Sequence, residues 1–195
     1  LKNGMKTKIV DSCGHTLLKN RCAQNIGNGK TDMGQFDKEK YIFGVSGSAA
    51  LHRKKMLESI KFNDEYLDED FFMGYDDVDI DWRAKLLGWK TYYCPEAVGW
   101  HLRSSTTKTS KQWTFYNYRN RYLMIIKNDC LKNILKDLFH ILIYETGVFF
   151  SMIIQLQFIY VFFSLNQLLP KFTEKRKYIK NKQVISEKQM RSYFS

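Results

Sequence analysis

No Cys-x-x-Cys pair joins Cys13, Cys22, Cys94 and Cys130, and no histidine stands at a zinc-site spacing from them. A structural zinc centre is thereby excluded, and thiols scattered this way read as reduced and cytosolic. No apolar run with a cleavage site follows Leu1, so no secretory signal is visible, and the chain reads as the later part of something longer. Internal repeats and low-complexity tracts are missing too. Charge itself is missing from one long stretch, since Thr146 to Leu169 holds no Asp, Glu, Lys or Arg.

What is present excludes a disordered chain: 44% of the residues are hydrophobic and 15% aromatic. A length of 195 residues suits one domain with a real core and is short for two. The net charge of +11 is unevenly placed, with acids crowded between Asp64 and Asp81 and bases between Lys171 and Lys188. A basic tail suits an anionic membrane surface or nucleic acid. The aromatic and basic run QWTFYNYRNRY fits the second partner, but the acidic crowd and apolar tail do not, and no nucleic-acid motif appears. No nucleic-acid partner is therefore expected.

Residues 1 to 40 are rich in Gly, Asn, Lys and Asp, and read as loop with little core, NIGNGKTD at 25–32 above all. YIFGVSGSAALHR, 41–53, begins as a strand, and its glycines Gly44 and Gly47 let the backbone run close to something else. Residues 51–60 look helical, and NDEYLDED is polar enough to be a connection. VDIDWRAKLLGW predicts a helix of about three turns, with Val78, Trp82 and Leu86 on one face and Gly88 as its stop. WKTYYC is β-prone, and AVGWH after Pro95 predicts a further short strand leading to His101. The middle of the chain thus reads strand, helix, strand, an α/β layer. A Ser/Thr-rich loop, RSSTTKTS, follows.

Four aspartates occupy six positions, 76 to 81, at the start of that helix. Unpaired N–H groups at a helix N-terminus stabilise carboxylates, so one of Asp76 and Asp77 can cap while the other points into a cleft. Two close acids push their proton affinities apart, which leaves one as a proton acceptor. The bland alternative is that both only cap and solvate. A calcium loop is excluded, because its sixth and twelfth positions would be Trp82 and Gly88. A metal-bridging Asp-x-Asp is disfavoured, since Asp77 and Asp79 on a helix point about 200° apart. His101 follows a strand returning from the acidic helix, where it would bring a base or a metal ligand to the same edge.

DDVDIDWRAKLLGWKTYYCPEAVGWH resembles the catalytic domain of family 2 glycosyltransferases, especially rhamnosyltransferase-like members. The shared form is an acid pair, D-x-x-x-R, a glycine and aromatic, a proline, an alanine and a closing histidine. Asp76, Asp77, Asp79, Arg83, Gly88, Trp89, Pro95, Ala97 and His101 fall on it. The likeness extends upstream through GQFD and VSGSAALHR and downstream through YNYRNR. It implies an α/β fold: the C-terminal half of a GT-A type nucleotide-diphospho-sugar transferase domain at 1–126, followed by a helical, membrane-associated tail at 127–195. It also implies inverting transfer of a sugar, rhamnose by the nearest likeness, from a nucleotide-diphosphate donor to an acceptor hydroxyl in cell-surface polysaccharide synthesis.

In the implied roles Asp77 is the base, Asp76 its acidic neighbour, Gly47 and Ser48 line the donor and acceptor cleft, and His101 helps hold a divalent metal, Mg or Mn. Arg83 is expected to be structural, pairing with Asp79 one turn away. The family's nucleotide-binding half, with its main Asp-x-Asp metal ligands, is expected to precede this segment, so the isolated chain is expected to transfer little or no sugar; the rival is a noncatalytic membrane scaffold. The tail has two readings. Twenty-four uncharged residues at ~1.5 Å each would cross a ~30 Å bilayer core, although Gln155, Gln157, Asn166 and Gln167 interrupt them. A place in or on the cytoplasmic leaflet, with Lys171, Lys175, Arg176 and Lys177 on anionic lipid and a saccharide or lipid-linked saccharide acceptor presented there, is expected over a pair of core or dimer helices.

Overall fold

The computed structural model describes residues 5–102 and 110–195; the Ser/Thr-rich loop expected at 103–110 lies, but for its last residue, outside the described residues. The segment before residue 40 departs from the loop expected of it. Strands β1 (His15–Leu17) and β2 (Ala23–Asn25) form an antiparallel hairpin with Thr16 opposite Gln24. Cys13, His15 and Leu17 alternate inward and all three are buried, Leu17 completely. That period of two is hidden in the sequence by the surrounding Gly, Asn and Lys.

β3 (Lys40–Ile42) pairs antiparallel with β4 (Thr91–Tyr93), Tyr41 lying opposite Tyr92. Between them run α1 (Lys54–Ile60), a 3₁₀ turn at Glu69–Phe71 and α2 (Asp76–Leu86). The result is a mixed α/β arrangement in the expected order. The strand expected at 97–101 does not form. The N–H groups of Ala97 and Val98 bond back to the carbonyls of Cys94 and Glu96, at 3.2 and 3.0 Å, so the backbone there closes local turns instead of joining a ladder.

The rest is helical: α3 (Ser110–Asn128), α4 (Leu131–Lys136), α5 (Leu138–Ile154), α6 (Phe158–Lys182) and α7 (Glu187–Arg191). α6 runs along α3, and the Ser195 N–H returns to the Leu17 carbonyl at 3.0 Å beside β1. α2 sits at the centre. Val78, Trp82 and Leu86 share one face, as their spacing requires, and meet Leu17, Phe43, Leu123, Phe172 and Phe194 in one apolar cluster. The Trp82 ring lies edge-on to Phe194 at 5.4 Å and to Phe43 at 6.5 Å.

The adjoining flank of α2 buries charge. Asp79 accepts from Arg83 Nε, Lys127 Nζ and Asn128 Nδ2, each at 2.8 Å. The Arg83 guanidinium also donates to the carbonyls of Ile60 and Tyr66 at 2.8 Å, which confirms it as structural. Lys127 reaches Asp68 at 2.6 Å, and Lys175 reaches Asp68 at 2.5 Å and Asp70 at 2.6 Å. The basic cluster, expected from sequence to lie on anionic lipid, is not wholly free to do so: Lys175 is buried, Lys171 pairs with Asp70 at 2.7 Å, and Arg176 Nη1 donates to the Ile126 carbonyl. Those cations answer the acidic crowd inside the molecule.

Among the described residues no single helix is long and apolar enough to cross a membrane. The uncharged stretch instead breaks into α5 and α6, which turn by 113° at Gln155–Gln157, where Leu156 takes a left-handed φ of 54°.

Burial works to raise the Asp68 carboxyl, but Lys127 and Lys175 outweigh it and hold it at about 2. Because the folded value is the lower one, this group's stabilisation is complete above the ordinary carboxylate range and is lost as pH falls from about 3.8 to about 2. Lys127→Met takes one cation from two buried carboxylates, leaving Asp79 with Arg83 and Asn128 and Asp68 with Lys175, and is expected to lower the unfolding free energy in urea denaturation by roughly 2–4 kcal/mol, below the full cost of an uncompensated buried charge. A loss under about 1 kcal/mol would mean the pairs contribute no more than surface ones.

Candidate active site

The start of α2 is built from an unusual turn. Phe72, Gly74 and Tyr75 all have positive φ, of 58°, 80° and 67°. Left-handed backbone costs a non-glycine residue roughly 1–2 kcal/mol, so the turn must be held from outside. Asn120 of α3 does this: its Nδ2 donates to the carbonyls of Phe71, Met73 and Gly74 at 2.7, 2.9 and 2.8 Å. Arg119 adds a bond to the Asp70 carbonyl at 2.5 Å. The RNR segment thus fixes where α2 begins, and with it Asp76 and Asp77.

α2 in turn grips the loop after β3. Asp77 Oδ2 accepts the Gly47 N–H at 3.0 Å, and Asp81 Oδ2, one helical turn on, accepts the Val45 N–H at 2.8 Å. Asp77 Oδ1 takes the N–H of Val78 at 2.8 Å. Gly44 passes so close that a Cβ there would stand 2.1 Å from Asp81 Oδ2 and 2.3 Å from His15 Nε2. Gly44 therefore makes the close approach that the sequence implies, whereas a Cβ at Gly47 would lie at an ordinary contact distance of 3.5 Å from Asp77 Cβ. Ser48 is exposed, its Oγ 3.0 Å from that of Ser46.

Asp76 and Asp77 open onto a cleft of about 280 Å³, also lined by His15, Asn25, Ser46, Trp113 and Asn117. Burial, and then the neighbouring charge of Asp77, raise the affinity of Asp76 for a proton. His15, Asn25, Trp113 and Asn117 were not singled out by sequence. His15 belongs to the concealed hairpin, and for Trp113 and Asn117 the available signal is their one-turn spacing on a helix.

His101 does not join this cleft. Its Nδ1 lies 2.8 Å from Asp11 Oδ2 at a half-exposed position. The expected strand that would have carried it to the sheet edge is absent, which accounts for the separation. Asp77 and Asp79 point opposite ways, one to the cleft and one to the interior, so they cannot share an ion. Among the described residues one trio brings three ligand atoms within 4.8 Å of one another, Glu39, Cys94 and Glu96, all exposed. Among the described residues no such trio lies in the cleft.

A family model described as glycosyltransferase like family 2 matches residues 7–121, more than half of the chain. No curated protein and no solved structure matches.

Two outcomes follow from this geometry. In carboxyl ¹³C NMR titrations Asp76 is expected to titrate above an ordinary aspartate and to move down in Asp77→Asn, since removing the neighbouring charge eases its ionisation; an unchanged Asp76 would show the two carboxyls to be uncoupled. Gly44→Ala is expected to destabilise the fold by roughly 1–3 kcal/mol, because Asp81 and His15 must both give way; wild-type stability in urea would place the loop farther from α2.

Proposed function

Because the chain belongs to glycosyltransferase family 2, whose domains bind a nucleotide-sugar donor and an acceptor and pass the sugar between them, we propose that Asp77 is the base of this transfer. The observation that supports it most is the position of its carboxylate: at the N-terminus of α2, at the cleft, and oriented by the N–H groups of Gly47 and Val78. As the acceptor hydroxyl oxygen attacks the anomeric carbon, its proton passes to Asp77. The bond from that carbon to the diphosphate oxygen breaks with its electron pair on the departing nucleotide diphosphate, and the configuration inverts. Asp76, half-buried beside Asp77, keeps a second carboxyl in place whose affinity for a proton is raised by burial and by the Asp77 charge. Gly47 holds the base, and the segment with Ser48 borders the sugar side.

Family domains commonly use a divalent metal, which would stabilise the leaving diphosphate. Among the described residues no ligand trio lines this cleft, so no step is assigned to the metal, and His101, beside Asp11, keeps its metal role as a proposal. The rhamnosyltransferase-like pattern makes rhamnose the donor sugar to test first, with a cell-surface saccharide as acceptor.

In the cell that makes this chain, Asp77→Asn is expected to cut sugar incorporation into surface saccharide by roughly 10²–10⁴-fold, the range of a lost general base. Asp76→Asn should cost less, and both variants should melt as the wild type does. Unaltered saccharide in the Asp77→Asn strain would overturn the assignment and favour a noncatalytic scaffold.

A further inference from the structure

Among the described residues, the bend between α5 and α6 carries a dense group of exposed apolar side chains. Phe150, Ile154, Leu156, Ile159 and Phe163 are between 59 and 80% exposed. From Phe158 to Phe163 every residue is exposed except Val161, which packs on Val148 and Met152 of α5. Those exposed positions spread over an arc of about 200° around the helix. A single packed neighbour covers about one 100° stripe of a helix, so an arc this wide, with cations beside it, favours a surrounding apolar medium.

The polar groups of the segment are arranged to match. Thr146 Oγ1 donates to the Leu142 carbonyl at 2.9 Å, Gln155 Nε2 to Ser151 Oγ at 2.9 Å, and Asn166 Nδ2 to the Phe162 carbonyl at 2.9 Å. Each closes within its own helix, one turn back, leaving fewer donors that require water. Glu145 is the one Asp, Glu, Lys or Arg between Leu138 and Pro170, where His140 is the other titratable side chain of acid or base type, and Glu145 is turned to α3, where Arg121 Nη1 meets it at 2.5 Å. Just before α5, exposed Lys132 and Lys136 stand on α4 among exposed Leu131 and Leu135, cations beside an apolar surface.

We propose that this bend docks into the headgroup and outer acyl region of an anionic lipid bilayer as a wedge confined to one leaflet, with Lys132 and Lys136 on the lipid phosphates. The depth follows from length. The uncharged parts of α5 and α6, Thr146–Ile154 and Phe158–Leu169, extend about 13 and 18 Å against a bilayer core of about 30 Å. With the 113° turn between them, they enter and return on the same side. The proposal does not depend on sugar transfer, and its test requires no turnover.

The purified chain is mixed with vesicles of phosphatidylcholine, with or without phosphatidylglycerol, and floated through a density gradient. The wild type should float with the anionic vesicles. Phe150→Glu/Phe163→Glu should reduce the floated fraction about tenfold or more, each buried phenylalanine being worth more than a factor of ten. Both positions are exposed, so the variant should retain wild-type circular dichroism and melting; as a second route, Lys132→Glu/Lys136→Glu should remove the preference for anionic lipid without touching the apolar face. Wild type that stays at the bottom with every vesicle overturns the proposal. So does a stable dimer, in the absence of lipid, that the double glutamate variant dissociates, because the face would then belong to a second copy. Labelling of Leu156→Cys by an impermeant maleimide enclosed in the vesicles, beyond that of wild type, would show a span and overturn the single-leaflet geometry.

Discussion

The buried ion network on α2 is what the remaining structure is organised around. Asp79 lies in the interior with Arg83, Lys127 and Asn128 on it, and Asp68 joins Lys127 to Lys175. A carboxylate out of water is tolerated only when its charge and lone pairs are met, so each of these contacts constrains the helix that supplies it. Arg83 ties α2 to the carbonyls after α1, Lys127 brings α3, and Lys175 brings α6. Apolar packing around Trp82 supplies the attraction, and the ion network selects which of many apolar arrangements is adopted.

α2 uses its aspartates in three directions. Asp79 goes inward to cations, Asp81 holds the Val45 N–H beside His15, and Asp76 and Asp77 stay at the N-terminus facing the cleft. The crowd of acids in a basic protein thus resolves into separate structural and chemical parts, divided by the 100° step of the helix. The cleft owes its shape to α3, because Asn120 holds the left-handed turn from which α2 starts.

Much of this can be read in the sequence where cause and effect lie within one element. The extent of α2, its apolar face, its stop at Gly88 and the Asp79–Arg83 pair all follow from helical spacing. Gly44 could be anticipated because a glycine next to a strand marks a close approach. The β1–β2 hairpin could not, since its three inward residues are diluted by turn-forming ones. β-prone side chains at 97–101 were misleading because a strand needs a free edge to pair with, and local turns took up the N–H groups first. His101 was placed by that absent strand. His15, Trp113 and Asn117 reach the cleft from two distant parts of the chain, and only tertiary packing brings them together.

The bond between Lys175 and Asp68 spans 107 residues. While a ribosome is making the chain, the acidic stretch and α2 emerge long before α6 exists, so Asp68 has no Lys175 to meet. Contacts this distant in sequence form late, after the entropy of closing a long loop has been overcome. The helix that carries Asp76 and Asp77 is therefore synthesised well before the lysine that helps to fix its surroundings, and the order around it becomes complete only once α6 has emerged.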